Sequence, residues 1–194
     1  MEKAASDAYY VKRYISGKDK AFDVLFKKYE RPLFSFILKI IKDRQIAEDV
    51  FQQTWLKVIN GLSNYEERGS FSSWLFGIAY NCSIDQTRKK TRSKIDDYAS
   101  SEGLDKLKGE HPNPHKILEK DEQIACLENA IEKLPDDQKQ VVLMRMHGEL
   151  PFKEIAEILE CPLNTVLGRM HYAVRNLRKI FKEELGEDLS YVLS

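Results

Sequence analysis

Residues 43–60 read Asp43-Arg-Gln-Ile-Ala-Glu-Asp-Val-Phe-Gln-Gln-Thr-Trp-Leu-Lys-Val-Ile-Asn60. At about 100° per residue, Val50, Phe51, Thr54, Trp55 and Val58 gather on one side of a helix spanning Ile46 to Ile59. Asp49, Gln52, Gln53, Leu56 and Asn60 gather on the other. A polar face with one leucine at its centre is either solvent surface or a docking face, where an apolar anchor is ringed by groups that fix orientation. Spacing alone leaves both readings open.

Toward the N-terminus, Phe22, Leu25, Phe26, Tyr29, Leu33, Ile37 and Ile40 form a second helical stripe between Ala21 and Ile41. Pro32 falls inside it and predicts a kink or a break. Toward the C-terminus, Gly61-Leu-Ser-Asn-Tyr-Glu-Glu-Arg-Gly69 is bounded by glycines and reads as a functional loop or irregular segment. A third helix is expected from Ser70 to about Arg92. Phe71, Trp74, Leu75, Phe76 and Tyr80, with Tyr65 just upstream, place aromatics beside Arg88, Lys89, Lys90, Arg92 and Lys94, five positive charges in seven residues. Aromatic faces can stack on unpaired bases while basic groups follow the phosphates. Trp74 with Leu75 and Ile78 equally suits a core.

After Lys94 the composition changes. Residues 95–122 hold eight acids against four lysines, with Gly103, Gly109 and His111-Pro-Asn-Pro-His115 among them. Prolines disfavour helix in the residue before them, so the middle of this segment reads as a mobile linker. Helical spacing resumes near Leu118 and is punctuated at Leu134-Pro-Asp, at Gly148 to Pro151 and at Cys161-Pro. Residues 151–160 form a short amphipathic helix with Ile155, Ala156 and Leu159 inward. The turn Cys161-Pro-Leu-Asn164 follows, then a helix from Thr165, which together make a helix–turn–helix. Val166, Met170, Ala173, Val174, Leu177 and Phe181 share its apolar sector. Gly168, His171, Tyr172, Arg175, Lys179 and Lys182 lie opposite, with Thr165 and Arg169 at the edge. An exposed, basic, hydrogen-bonding face of this kind suits major-groove entry. No period-two alternation occurs, so the fold class is all-α, two small helical domains joined by a flexible linker.

The 194 residues carry 31 Lys or Arg and 31 Asp or Glu, a net charge of zero. That excludes a uniformly basic DNA-coating protein but conceals blocks, since Thr165 to Lys182 has five basic residues and no acid. One basic surface per module is what contact with DNA at two places requires. No apolar run approaches the roughly 20 residues that span a bilayer, the N-terminus lacks a secretory h-region, and the expected location is cytoplasmic. Cys82, Cys126 and Cys161 are odd in number and widely spaced, which disfavours a disulfide framework; each is expected to be a buried free thiol. His111, His115, His147 and His171 show no metal-ligand spacing, so neither a metal, a cofactor nor a catalytic residue is expected. A dimeric helix–turn–helix regulator would explain residues 134–183 but gives no role to the Asp49–Gln53 face.

The quoted stretch to Val58 resembles region 2 of bacterial sigma factors of the extracytoplasmic-function group. Phe71-Ser-Ser-Trp-Leu-Phe-Gly-Ile-Ala-Tyr-Asn81, with Asp85 and the basic tail from Arg88, resembles the adjoining segment that reads and melts the −10 element. Leu134-Pro, Phe152-Lys-Glu-Ile-Ala-Glu157 and Thr165-Val-Leu-Gly-Arg-Met-His-Tyr-Ala173 resemble region 4, which reads the −35 element. The resemblance implies region 2 over residues 1–94, a linker over 95–118 and region 4 over 119–194. It implies that Glu48, Asp49, Gln52, Gln53 and Leu56 bind the clamp helices of the largest subunit of core RNA polymerase. It implies −10 contacts from Asn64, Tyr65, Ser70, Phe71, Asn81, Arg88, Lys89 and Arg92, and −35 contacts from Thr165, Arg169, His171, Tyr172, Arg175 and Lys179. Control by an anti-sigma factor is implied too, without membrane insertion of this chain. The function implied is a promoter-specificity subunit and not an enzyme. Gln53 stands where the family usually has Glu, and Trp55 where it has Phe. Asn164 replaces a common turn Gly, and Leu167, Gly168 and Tyr172 depart in or beside the reading surface, so no promoter sequence carries over. With no net charge, the free chain is expected to bind DNA weakly without polymerase.

Overall fold

Asp43 separates the first two long helices. Its carboxylate accepts the backbone N–H of Ile46 at 3.2 Å and so caps the helix that follows, an interaction typically worth about 1 kcal/mol. Lys42, left-handed at φ 58°, ends the helix before it. The computed structural model describes residues 6–66, 69–100 and 119–185, and the side chains of 91–100, 119–125 and 184–185 lie outside that description. Among the described residues the chain is α1 (Asp7–Ile15), α2 (Lys20–Ile41), α3 (Arg44–Gly61), a 3-10 turn (Leu62–Asn64), α4 (Phe71–Ser100), α5 (Glu119–Glu132), α6 (Asp136–His147), α7 (Phe152–Ile158) and α8 (Leu163–Leu185), with no strand.

Helices α1 to α4 form the first module. The α2 stripe is buried at Leu25, Tyr29, Leu33, Phe36 and Ile37, each worth roughly 1.5–3 kcal/mol when removed from water. That burial on both sides of Pro32 carries α2 through as one helix, so of the kink or break expected there the break does not occur. α1 has no strong sequence signal. Buried Val11 holds it down, as does Asp7, which accepts from the ammonium of Lys28 at 2.6 Å and from the hydroxyl of Tyr29. Burial, and then this carboxylate, push the Tyr29 hydroxyl far above its usual pKa.

Two further expectations are corrected by the backbone. α4 runs to Ser100, six residues into the stretch assigned to the linker; the rest of that stretch, 101–118, lies outside the described residues. In the second module, α5 to α8, the second helix of the helix–turn–helix begins at Leu163, not Thr165. The left-handed residue of the turn is Glu160, φ 50°. Pro162 sets this start, its carbonyl accepting from the N–H groups of Thr165 and Val166.

The two modules pack on one another, so their cores are continuous. α2 lies against α6 and α4 against α7. No helix among the described residues is long and apolar enough to cross a membrane.

Candidate nucleic-acid and protein interface

The faces of α3 fall where its spacing puts them. Ala47, Val50, Thr54, Trp55 and Val58 are buried, with Trp55 inside a ring cluster made with Phe22, Phe26 and Phe51. Glu48, Asp49, Gln52 and Gln53 are exposed, and Leu56 among them is 60% exposed. A leucine left in water at the centre of a polar face is not explained by the fold. Glu48 also accepts from Arg44 one turn earlier, at 3.1 Å.

Ahead of α4 the chain makes the 3-10 turn, buries Leu62 beneath it and presents Asn64 outward. The Tyr65 ring packs on Trp74 at 4.9 Å between centroids and on Phe71 at 6.0 Å. Phe71 is only 2% exposed and touches Tyr29 from behind. In this arrangement it backs Tyr65 from within and is not at the surface where the expected −10 contact would lie. Trp74 and Ile78 are half-buried, and only Leu75 of that trio is core. Asn81, Arg88 and Lys89 continue outward along α4; the Arg92 side chain lies outside the described residues. Tyr80, just before Asn81, donates to Gln140 of the second module at 3.2 Å. Burial raises its hydroxyl pKa, against the pull of Arg169 and Arg88.

On α8, Thr165, His171, Tyr172, Arg175 and Lys179 are exposed on the face opposite buried Val166, Ala173, Leu177 and Phe181. Arg169 differs from them. Its Nε lies 3.3 Å from Asp137 of α6 and its Nη1 donates weakly to the Cys161 sulfur at 3.8 Å, so it braces the helix–turn–helix from within. Cys82 is buried, whereas Cys126 and Cys161 are half-buried, contrary to expectation for those two; all three are free thiols. Among the described residues no group of three or more His, Cys, Asp or Glu could hold a metal ion.

Sequence reasoning missed a junction that joins the two surfaces. A cleft of about 720 Å³ opens between Asn64, Tyr65, Glu66, Gly69, Ser70 and α4 on one side and α7 with Glu160 on the other. Glu154 of α7 spans it, its carboxylate accepting from the Ser70 N–H at 3.3 Å, the Ser70 hydroxyl at 2.9 Å and the Ser73 hydroxyl at 2.6 Å. Partial burial works to raise the Glu154 pKa, but these bonds win and hold it below the usual carboxylate range. Nearby, the Ser72 hydroxyl donates to the Gly148 carbonyl at 2.7 Å, and Gly77 leaves room for Ile158, which would lie 3.5 Å from a Cβ there. These partners stand some 76 to 84 positions apart in sequence, and none of them belongs to a recognisable local motif.

Comparison with known proteins agrees with this geometry. Residues 25–93 match the profile of Sigma-70 region 2, and residues 124–177 match Sigma-70, region 4. The RNA polymerase sigma-H factor of Pseudomonas aeruginosa is 28% identical over 186 residues, covering 93% of this chain and 96% of its own. The ECF RNA polymerase sigma-E factor of Escherichia coli is 28% identical over 179 residues, covering 89% and 93%. In fold, the chain is similar to the sigma factor RpoE solved with the anti-sigma factor NepR from Bartonella quintana, with TM-score 0.67, 22% identity and coverage of 85% of this chain and 99% of that one. It is also similar to CnrH solved with the cytosolic domain of CnrY, with TM-score 0.63, 19% identity and coverage of 93% and 99%. The region 2 match spans α3, the helix whose polar face a dimeric regulator leaves without a role.

Proposed function

The chain belongs to the sigma-70 family, as a factor of the extracytoplasmic-function group, and from that premise we propose how its surfaces divide the work of directing RNA polymerase to promoters. The polar face of α3, with Glu48, Asp49, Gln52 and Gln53 around Leu56, binds core polymerase at the clamp helices of its largest subunit. Asn64, Tyr65, Ser70, Asn81, Arg88, Lys89 and Arg92 engage the −10 element, with Phe71 supporting Tyr65 from within. Thr165, His171, Tyr172, Arg175 and Lys179 face the −35 duplex, and Arg169 holds that helix in place.

The observation that carries this reading is the exposure of Leu56 inside a polar ring, on the helix preceding the aromatic–basic α4. Burying one such anchor in a partner pocket is worth a few kcal/mol, while the surrounding polar groups fix register. Strand opening then proceeds by binding energy alone. Unstacking a base costs a few kcal/mol, offset by aromatic stacking of about 1–3 kcal/mol per base and by phosphate neutralisation. The family acts by binding and not by catalysis. Polymerase as partner puts the chain in the cytoplasm. Because the solved neighbour RpoE is in complex with an anti-sigma factor, the same mode of control is proposed here.

The test is transcription from a genomic fragment library by bacterial core polymerase, with and without this protein. New start sites that need the wild-type chain and weaken with Asp49→Ala are expected. Absence of any binding to core would overturn the assignment of α3.

A further inference from the structure

In the packed arrangement part of the −10 surface faces a cleft shared with the second module. Asn64, Tyr65 and Asn81 line one wall of the cleft, and Glu154, Glu157 and Glu160 line the other. The second wall thus offers three carboxylates where a strand entering between the modules would bring its phosphates, and like charges at close quarters repel. Glu154 goes further than its neighbours. Its carboxylate accepts from the hydroxyls of both Ser70 and Ser73, which also bond one another at 2.9 Å. It also accepts the backbone N–H of Ser70, the residue leading into α4. We propose that Glu154 is an internal latch that holds the −35 module over the −10 surface and keeps unpaired DNA out until the modules separate.

This latch rests on the assignment of Asn64, Tyr65 and Asn81 to −10 DNA made above. It is built for reversal. The three bonds are to small hydroxyls and one N–H at the rim of the cleft, Ser70 being exposed, so water can replace them once α7 moves away. Beside them Ile158 of α7 sits over Gly77 of α4. A chain closed most of the time binds its ligand more weakly in proportion to its open fraction, and a change that favours opening recovers the loss. Closure therefore adds a second cause, beside zero net charge, for weak DNA binding by the free protein.

The experiment uses the full chain and Glu154→Gln, which keeps the side chain's shape and removes its charge. Ile158→Ser serves as a second variant that loosens the same junction without touching the carboxylate. Circular dichroism confirms folding. The radius of gyration is read by small-angle X-ray scattering, and affinity is read with a fluorescein-labelled pool of randomised single-stranded 12-mers. Both variants should enlarge the radius, and Glu154→Gln should tighten oligonucleotide binding on the order of tenfold. Adding Asn81→Ala to Glu154→Gln should remove most of that gain. A gain insensitive to Asn81→Ala would keep the latch and sink the −10 assignment. An unchanged radius in both folded variants, or opening without any gain in affinity, would overturn the latch.

Discussion

The ammonium of Lys139 ends on Glu132. Lys139 is 5% exposed, its Nζ donates to the Glu132 carbonyl at 2.9 Å and lies 3.2 Å from Glu132 Oε2, and the same carboxylate takes Lys42 of the first module at 3.0 Å. A buried ammonium must keep a counter-charge or lose far more than the pair is worth. Glu132 thus serves two purposes, neutralising a lysine inside the second module and tying that module to the end of α2.

Glu132→Ala is expected to destabilise the protein by about 2–3 kcal/mol, the range for hydrogen bonds to charged groups and for a buried charge left without its partner. Adding Lys139→Met removes the stranded ammonium and should recover most of the loss. Urea unfolding of the two variants and the wild type measures both. A double variant no more stable than Glu132→Ala alone would show that the loss comes from Lys42.

The pH dependence follows from the same groups. Burial works to raise the Glu132 pKa, but hydrogen bonds from Lys42 and then Lys139, with their charges, hold it below the usual carboxylate range. A carboxylate depressed in the folded state contributes stability above its unfolded value and loses it as pH falls through the folded value. Lys42 is raised, chiefly by its hydrogen bond to Glu132 and against desolvation, so its contribution is complete below its ordinary value and is lost only as pH rises through the raised one. The difference in unfolding free energy between wild type and Glu132→Ala should be flat across neutral pH and shrink below about pH 4. A difference that grows on acidification would reverse the sign.

What the sequence discloses here is what repeats along a helix. The division of α3 into buried Val50, Trp55 and Val58 and exposed Gln52, Gln53 and Leu56 is legible because period alone determines it. The same holds for α8. Pro32 misleads because one missing donor is outweighed by the apolar contacts on either side of it. Glu160 is missed because the left-handed turn is set by where α8 starts, and Pro162 moves that start two residues earlier than the Thr165 pattern suggests. The Glu154 junction with Ser70 and Ser73 leaves no trace in any window, since each residue is an ordinary polar surface choice in its own segment. Only the docking of α7 on α4 brings them together.

Leu56 and Val58 sit two positions apart on opposite faces, which separates binding from folding. Val58 is fully buried, and Val58→Ala should cost about 2 kcal/mol of stability through lost methyl burial and the cavity left behind. Leu56→Ala should leave unfolding unchanged within about 0.5 kcal/mol and weaken binding to core polymerase by roughly tenfold. Thermal melts and a fluorescence titration against core polymerase give the two readings. If Leu56→Ala binds core as well as wild type does, the apolar anchor of the α3 face lies elsewhere.

Arg169 and Arg175 offer the same separation on α8. Arg169 is braced by Asp137, and because both side chains keep water contact, Arg169→Ala should lower stability by no more than about 1 kcal/mol. Its effect on promoter binding then comes through the position of α8. Arg175 points outward on the proposed −35 face. Arg175→Ala should leave stability unchanged and, if it neutralises one phosphate, should lower the slope of log affinity against log salt by about one for the polymerase-bound protein. Filter binding of a cloned target promoter between low and moderate salt measures that slope. Equal slopes for wild type and Arg175→Ala would take this arginine off the phosphate backbone, and a reduced slope for Arg169→Ala with unchanged stability would make Arg169 the contact instead.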